Sequence, residues 1–60
     1  MWTILVNFGE YAHGVYKSEK YAQEKLWEMV ETDTEDDILS YEMAVECCQG
    51  YYEIVEIKGV

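Results

Sequence analysis

The chain has 60 residues, of which 50% are hydrophobic, and a formal net charge of −9 at pH 7. This length allows one domain, residues 1–60, that buries roughly 60% of the surface exposed by its unfolded chain. The hydrophobic and aromatic content excludes a disordered acidic tail. The negative charge argues against direct binding to nucleic acid or to an acidic membrane. No apolar stretch reaches the roughly 20 residues that span a bilayer.

Residues 2–15 alternate in hydrophobicity as two consecutive strands do. The residues on one side are apolar or aromatic apart from one histidine: Trp2, Ile4, Val6, Phe8, Tyr11, His13 and Val15. The pattern predicts a β-hairpin with a two-residue turn at Gly9-Glu10, and a longer loop reaching Ala12 is the alternative. The two-residue turn pairs Val6 with His13 and makes His13 a structural histidine on the core face.

A first helix is predicted to begin after Ser18, whose side chain suits an N-cap. At about 100° per residue, one stripe collects the apolar side chains Ala22, Leu26, Met29 and Val30. The opposite side collects the acids Glu24, Glu28 and Glu31, with Trp27 at the border. The pattern therefore predicts an amphipathic helix with an acidic outer face.

A second helix is predicted to begin at Thr32 or Thr34, because Thr34-x-x-Asp37 fits a capping box with Glu35 and Asp36 in its first turn. Gly50 ends it as the C′ residue. This helix has two apolar stripes, one of Ile38, Tyr41, Val45 and Cys48, and one of Leu39, Met43 and Cys47. The polar strip between them consists of Glu42, Glu46 and Gln49. A helix that is apolar on both flanks lies between two layers or keeps one side for a partner.

A third strand is predicted over Tyr51–Ile57, which is rich in β-branched and aromatic residues. The element order is then β-β-α-α-β. This order predicts an α+β fold in which two helices pack on one face of a small three-stranded sheet. If the second helix returns the chain, the third strand runs parallel to the first.

The sequence predicts no catalytic residue, metal site or cofactor, and hence no enzyme. EF-hand loops started at Asp33 or Asp36 lack the required Gly and bidentate Glu, which leaves weak, nonspecific cation binding as the alternative. His13 is the only histidine and has no recognisable triad. The adjacent Cys47 and Cys48 bridge only with strain, so two reduced thiols and a cytoplasmic location are expected.

The acids are distributed unevenly. Residues 26–57 contain ten carboxylates and no Lys or Arg, whereas residues 1–25 contain three acids and three lysines. Acids four apart on a helix are about 6 Å apart along its axis, so two packed helices approach the phosphate density of one DNA strand. The predicted partner is a basic protein surface, bound through Glu24, Trp27, Glu28, Glu31, Asp33, Glu35, Asp36, Asp37, Glu42 and Glu46.

In its length, acidity and lack of a catalytic motif, the chain resembles the small phage-encoded inhibitors of nucleic-acid enzymes, including anti-CRISPR and anti-restriction proteins. The resemblance implies a non-enzymatic inhibitor in the cytoplasm of a host cell. Such an inhibitor imitates DNA or blocks a DNA-binding channel of a nucleic-acid enzyme or effector complex. It carries no residue-by-residue assignment.

The alternative interpretation is a small structural or regulatory interaction module whose acids serve solubility. Its binding surface is the stripe of Leu39, Met43 and Cys47, which pairs with the same stripe of a second copy across a two-fold axis. The protein is then a homodimer, whereas the inhibitor hypothesis is compatible with a monomer.

Overall fold

A computed structural model describes residues 1–58, and Gly59 and Val60 lie outside the described residues. The elements in chain order are β1 (Trp2–Val6), β2 (Tyr11–Tyr16), α1 (Glu19–Thr34), α2 (Tyr41–Cys48) and β3 (Tyr52–Glu56). The three strands form one antiparallel sheet in the order β2-β1-β3. The predicted α+β class and element order are confirmed, with β1 as the central strand.

The hairpin register differs from the prediction. Val6 pairs with Tyr11 and Ile4 with His13, so the loop has the four residues 7–10 rather than two. Asn7 and Phe8 both adopt left-handed φ angles of 57°. The Phe8 ring makes an edge contact with Tyr51 at a centroid distance of 5.7 Å. This contact with a distant residue accompanies the exclusion of Phe8 from the strand. His13 pairs with the buried Ile4 and so lies on the helix side of the sheet as predicted, but it is exposed there rather than buried in the core.

Strand β2 contains a bulge. Trp2 pairs with Tyr16 but Ile4 pairs with His13, so β2 has one more residue than β1 between these pairs. Gly14 has a φ of 78°, and a Cβ there would lie 2.6 Å from the Tyr16 hydroxyl. The Thr3 hydroxyl donates to the Gly14 carbonyl at 2.5 Å. The bulge returns Tyr16 to the core, where it is buried.

Helix α1 covers the sheet as the sequence predicts. The Ser18 side chain accepts a hydrogen bond from the Tyr21 N–H at 3.1 Å and caps the helix. Ala22, Leu26 and Val30 are buried, and the helix contacts all three strands. The buried core consists of Ile4, Val6, Tyr16, Ala22, Leu26, Val30, Ile38 and Ala44.

The predicted start of the second helix is wrong. Helix α1 continues through Thr34, whose hydroxyl donates to the Val30 carbonyl as a helix-interior threonine does. Glu35 is the C-cap of α1 in a left-handed conformation. Helix α2 instead takes Ser40 as its N-cap, whose side chain accepts from the Met43 N–H at 3.2 Å. Gly50 follows the C-cap Gln49 with a φ of 88°, which confirms it as the C′ residue.

The connection between the helices explains why β3 runs antiparallel to β1, and not parallel as predicted. Ile38 is hydrogen-bonded to α1, so the connection itself turns back along this helix. The first residue of α2, Tyr41, lines a cleft with Glu19, and its last, Cys48, lines one with Thr34. Helix α2 therefore runs in the same direction as α1. The chain then reverses in β3, which runs antiparallel to β1.

Helix α2 packs mainly on α1. Ala44 is buried and Tyr41 and Cys48 are partly buried against the core, whereas Val45 is 40% exposed. The Tyr41 and Val45 side chains reach a cleft beside Tyr52–Ile54, which places α2 on the β3 side of α1. Among the described residues, neither helix is long and apolar enough to cross a membrane.

Candidate partner-binding surface

The ten predicted site residues do not form one uniform acidic face. The acids that the structure leaves exposed are Glu24, Glu28, Asp33, Glu35, Asp36, Asp37, Glu42 and Glu46, whereas Trp27 and Glu31 are partly buried. Their hydrogen bonds and neighbours set Asp33 apart and divide the other nine residues into three groups with different roles.

Trp27 and Glu31 form the first group, and both hold the connection to α2 in place. The Trp27 Nε1–H donates to the Ile38 carbonyl at 2.7 Å. The Glu31 Oε2 accepts from the Ile38 N–H at 3.0 Å. The backbone of the buried Ile38 is thus bound on both sides by α1 side chains. Both side chains are engaged within the fold. Their geometry therefore favours a structural role over the predicted contact with a partner.

Asp33 has an internal partner as well. Its carboxylate accepts a hydrogen bond from the Tyr52 hydroxyl and so links the last turn of α1 to β3. The pKa of Tyr52 is raised well above its usual value, first by burial and then by this hydrogen bond. The pair closes one side of the cleft between α1, α2 and β3.

The second group, Glu24 and Glu28, lies on an α1 surface of mixed charge. The Lys25 Nζ is 3.3 Å from Glu28 Oε1, the only salt bridge within residues 1–58. Lys20 precedes Glu24 by four residues, so the two share one side of the helix. Opposite charges alternate here as they do on ordinary solvated helices, and this surface is a poor imitation of a phosphate strand.

The third group, which we name the acidic segment, lies in the connection and on α2: Glu35, Asp36, Asp37, Glu42 and Glu46. All five are exposed, and residues 35–48 contain no Lys or Arg. Glu35 and Asp36 directly follow the C-terminal end of α1, where the helix dipole is negative. Each carboxylate near such an end lowers the stability of the helix by about 0.3–1 kcal/mol at low ionic strength.

Apolar side chains flank the acidic segment. Leu39 is 80% exposed and Met43 is 44% exposed, and Cys47 one turn later is exposed as well. On the opposite flank of Glu42 and Glu46 lies Val45. The predicted arrangement of α2, with a polar strip between two apolar stripes, is present from Ser40 onward. Leu39 precedes this helix and extends its Met43 and Cys47 stripe into the connection.

A largely apolar cleft lies beside the Asp33–Tyr52 pair. It has a volume of about 300 Å³, and the thiols of Cys47 and Cys48 contribute to its lining. Within residues 1–58, no three His, Cys, Asp or Glu side chains converge on a possible metal position. No family model, curated protein or solved structure matches the chain.

Sequence reasoning did not identify Ile38 as the residue that positions the acidic segment. The sequence pattern predicts Ile38 in an apolar stripe of α2, but it lies before the helix. A signal was available, because Ile38 and Leu39 are the only apolar residues between Val30 and Tyr41. An isolated apolar pair inside an acidic run is typical of an anchor in a connection, and here Ile38 is buried while Leu39 is exposed.

Proposed function

We propose that the protein is a non-enzymatic inhibitor that binds the basic, nucleic-acid-binding surface of a host enzyme or effector complex. The binding surface is the acidic segment. The observation that carries this proposal is the location of Glu35 and Asp36 at the negative end of α1. Carboxylates at this position destabilise the helix, so their presence is better explained by binding to a positively charged partner than by folding.

The exposed apolar groups beside these acids support the same proposal. Leu39 and Met43 give the surface an apolar contact area between charged groups, and interfaces combine such anchors with a charged rim. The acids steer association with a basic groove, and the apolar side chains are desolvated once contact is made. This division of roles narrows the predicted site from both helices to the connection and α2.

A comparison of two charge-reversed variants tests the proposal. One carries Asp36→Lys and Asp37→Lys, and its control carries Glu10→Lys and Glu19→Lys, which change the net charge equally in the hairpin loop and at the start of α1. The measurement is inhibition of DNA cleavage by purified restriction and CRISPR effector complexes, together with the association rate at several salt concentrations. The parent and control are expected to inhibit, and the first variant to associate about tenfold more slowly. If both variants associate equally, the acidic segment is not the interface.

The second candidate function is a homodimeric interaction module, favoured by the exposure of Leu39, Met43 and Cys47 on one side of α2. Sedimentation velocity on the parent, on Met43→Lys and on the exposed α1 control Tyr21→Lys separates the two functions. A dimer that only Met43→Lys dissociates supports the module. A parent that is monomeric at high concentration excludes the homodimer.

A further inference from the structure

The sheet has two outer edges of different construction. On the β2 edge, the bulge at Gly14 interrupts the strand, and the Gly14 carbonyl is already bound by the Thr3 hydroxyl. On the β3 edge, the register with β1 is continuous from Trp2↔Glu56 to Val6↔Tyr52. Bulges protect an edge from pairing with another chain. Only the β3 edge therefore offers a regular strand for pairing.

The hydrogen-bond pattern identifies which β3 groups point outward. The Ile57 N–H donates to the Met1 carbonyl at 2.8 Å, and the Tyr51 carbonyl accepts from the Phe8 N–H at 3.3 Å. Odd-numbered residues therefore face β1, and alternation directs the backbone groups of Tyr52, Ile54 and Glu56 to the outer edge.

These outward groups are largely free. In the described part of the chain β3 pairs only with β1, so the outward backbone groups of Ile54 and Glu56 face no partner strand. The Tyr52 carbonyl has only the Cys48 thiol, whose Sγ is 3.8 Å away. An added strand forms its ladder with such outward donors and acceptors at an exposed sheet edge.

The side chains at this edge favour a basic occupant over a second copy of the chain. Glu53 and Glu56 are both exposed and point to opposite faces of the sheet. Between them, Ile54 and Val55 are partly buried and present apolar neighbours. Two copies meeting here would bring these acids together, whereas lysines or arginines would be attracted.

We infer that the outer edge of β3 accepts an extended basic segment of another protein as a fourth strand. Cross-strand neighbours are about 5 Å apart. Residues opposite Glu53 and Glu56 are therefore three positions apart, with two residues between them opposite Ile54 and Val55. The segment that fits has the pattern basic-apolar-apolar-basic in either strand direction. This surface is separate from the acidic segment, and the inference does not depend on the proposed function.

The probe is a short synthetic peptide that contains Lys-Val-Ile-Lys, titrated into the intact protein by NMR and fluorescence anisotropy. Binding is expected to slow amide exchange at Ile54 and Glu56. The Val55 amide already faces β1 and is the internal control. The Glu53→Lys/Glu56→Lys variant is expected to bind the peptide about tenfold more weakly, because both cross-strand pairs become repulsive. The Asp36→Lys/Asp37→Lys variant is expected to change the affinity by less than about threefold, since its charges act only over distance.

Two N-methylated versions of the peptide separate strand addition from charge attraction without altering the protein. Methylation of the amides that pair with β3 is expected to abolish binding, and methylation of the alternate amides to leave it intact. Equal binding of both peptides, or of a peptide with the same composition in scrambled order, overturns the inference. A parent protein that is already dimeric in sedimentation, with peptide binding unaffected by Glu53→Lys/Glu56→Lys, overturns it in favour of a second copy.

Discussion

The two helices begin in the same way and differ in what holds them. Ser18 and Ser40 cap α1 and α2 with equivalent side-chain hydrogen bonds to the backbone three residues later. Helix α1 then buries three side chains against three strands, whereas α2 buries only Ala44 and rests on α1. Burial of apolar surface is the main favourable term in folding. Helix α1 is thus part of the stable core, and α2 is attached to it.

The acidic segment is therefore attached to the rest of the fold by few contacts. Its main anchors are the buried Ile38 side chain and the two hydrogen bonds from Trp27 and Glu31 to the Ile38 backbone. Regions with few buried contacts open locally at a lower free energy than global unfolding requires. We expect residues 35–48 to open before the sheet and α1, and the following variants test this hierarchy.

Leu26→Ala should have the largest effect. Leu26 is 1% exposed at the centre of α1, and truncation of such a side chain costs about 2–5 kcal/mol of unfolding free energy. The matched control is Met43→Ala in α2, where 44% of the residue is exposed and the loss should be below about 1 kcal/mol. Denaturant unfolding measures both, and equal losses would mean that α2 contributes as much to the core as α1.

Trp27→Phe should lower the unfolding free energy less than Leu26→Ala does, and its effect should be confined to the connection and α2. It removes the hydrogen bond to the Ile38 carbonyl, which costs about 1 kcal/mol. Amide exchange should accelerate in residues 38–48 and stay unchanged in β1. Trp2→Phe, a partly buried residue of β1, is the control and should accelerate exchange in the sheet. If Trp27→Phe affects the sheet equally, the two regions open as one unit.

Asp36→Asn should stabilise the protein, by about 0.3–1 kcal/mol, because it removes a charge from the negative end of α1. Glu42→Gln is the matched control, since Glu42 lies in the first turn of α2, where a negative charge is favourable. Its expected effect is a small loss. Thermal unfolding at low salt measures both, and added salt should reduce both shifts. A destabilising Asp36→Asn would show that this carboxylate has a stabilising partner.

Tyr52→Phe should be distinguished by its pH dependence: the variant loses the Asp33 hydrogen bond and is less stable than the parent at neutral pH, and this difference shrinks in alkali. The folded-state pKa of Tyr52 is raised by burial and by the hydrogen bond to Asp33. Its contribution is therefore fully present below the unfolded-state value of about 10 and is lost as pH rises through the folded-state pKa. The unfolding free energy of the parent should fall more steeply above about pH 10 than that of Tyr52→Phe. Tyr21→Phe, at an exposed position, should follow the parent.

Local chemistry was sufficient to predict the elements that depend on it. Ser18 and the stripe of Ala22, Leu26 and Val30 identify α1, because cap and periodicity both lie within the helix. The start of α2 was not predictable in this way. Thr34-x-x-Asp37 and Ser40 both satisfy the rules for an N-cap, and the choice depends on Ile38 binding to two side chains of α1. Such a contact has no signature within a short window of sequence.

The candidate site shows the same limit. The excess of acids was countable from the sequence, but their electrostatic setting was not. With a helix starting at Thr34, Glu35 and Asp36 would stabilise its positive end. With α1 ending at Thr34, the same residues lie beyond a negative end. A boundary error of a few residues therefore reverses the sign of the interaction, and this reversal is what favours a binding role over a structural one.

The central position of β1 has a consequence for how the chain folds during synthesis. Strand β1 is made first, yet one of its two neighbours, β3, begins only at Tyr52. Until β3 has left the ribosome, the backbone groups on one edge of β1 have no partner strand, and only the β1–β2 half of the sheet can form. Pairing between strands so distant in sequence is slow. A nascent chain of this protein is thus vulnerable to aggregation and proteolysis until β3 has emerged and paired with β1.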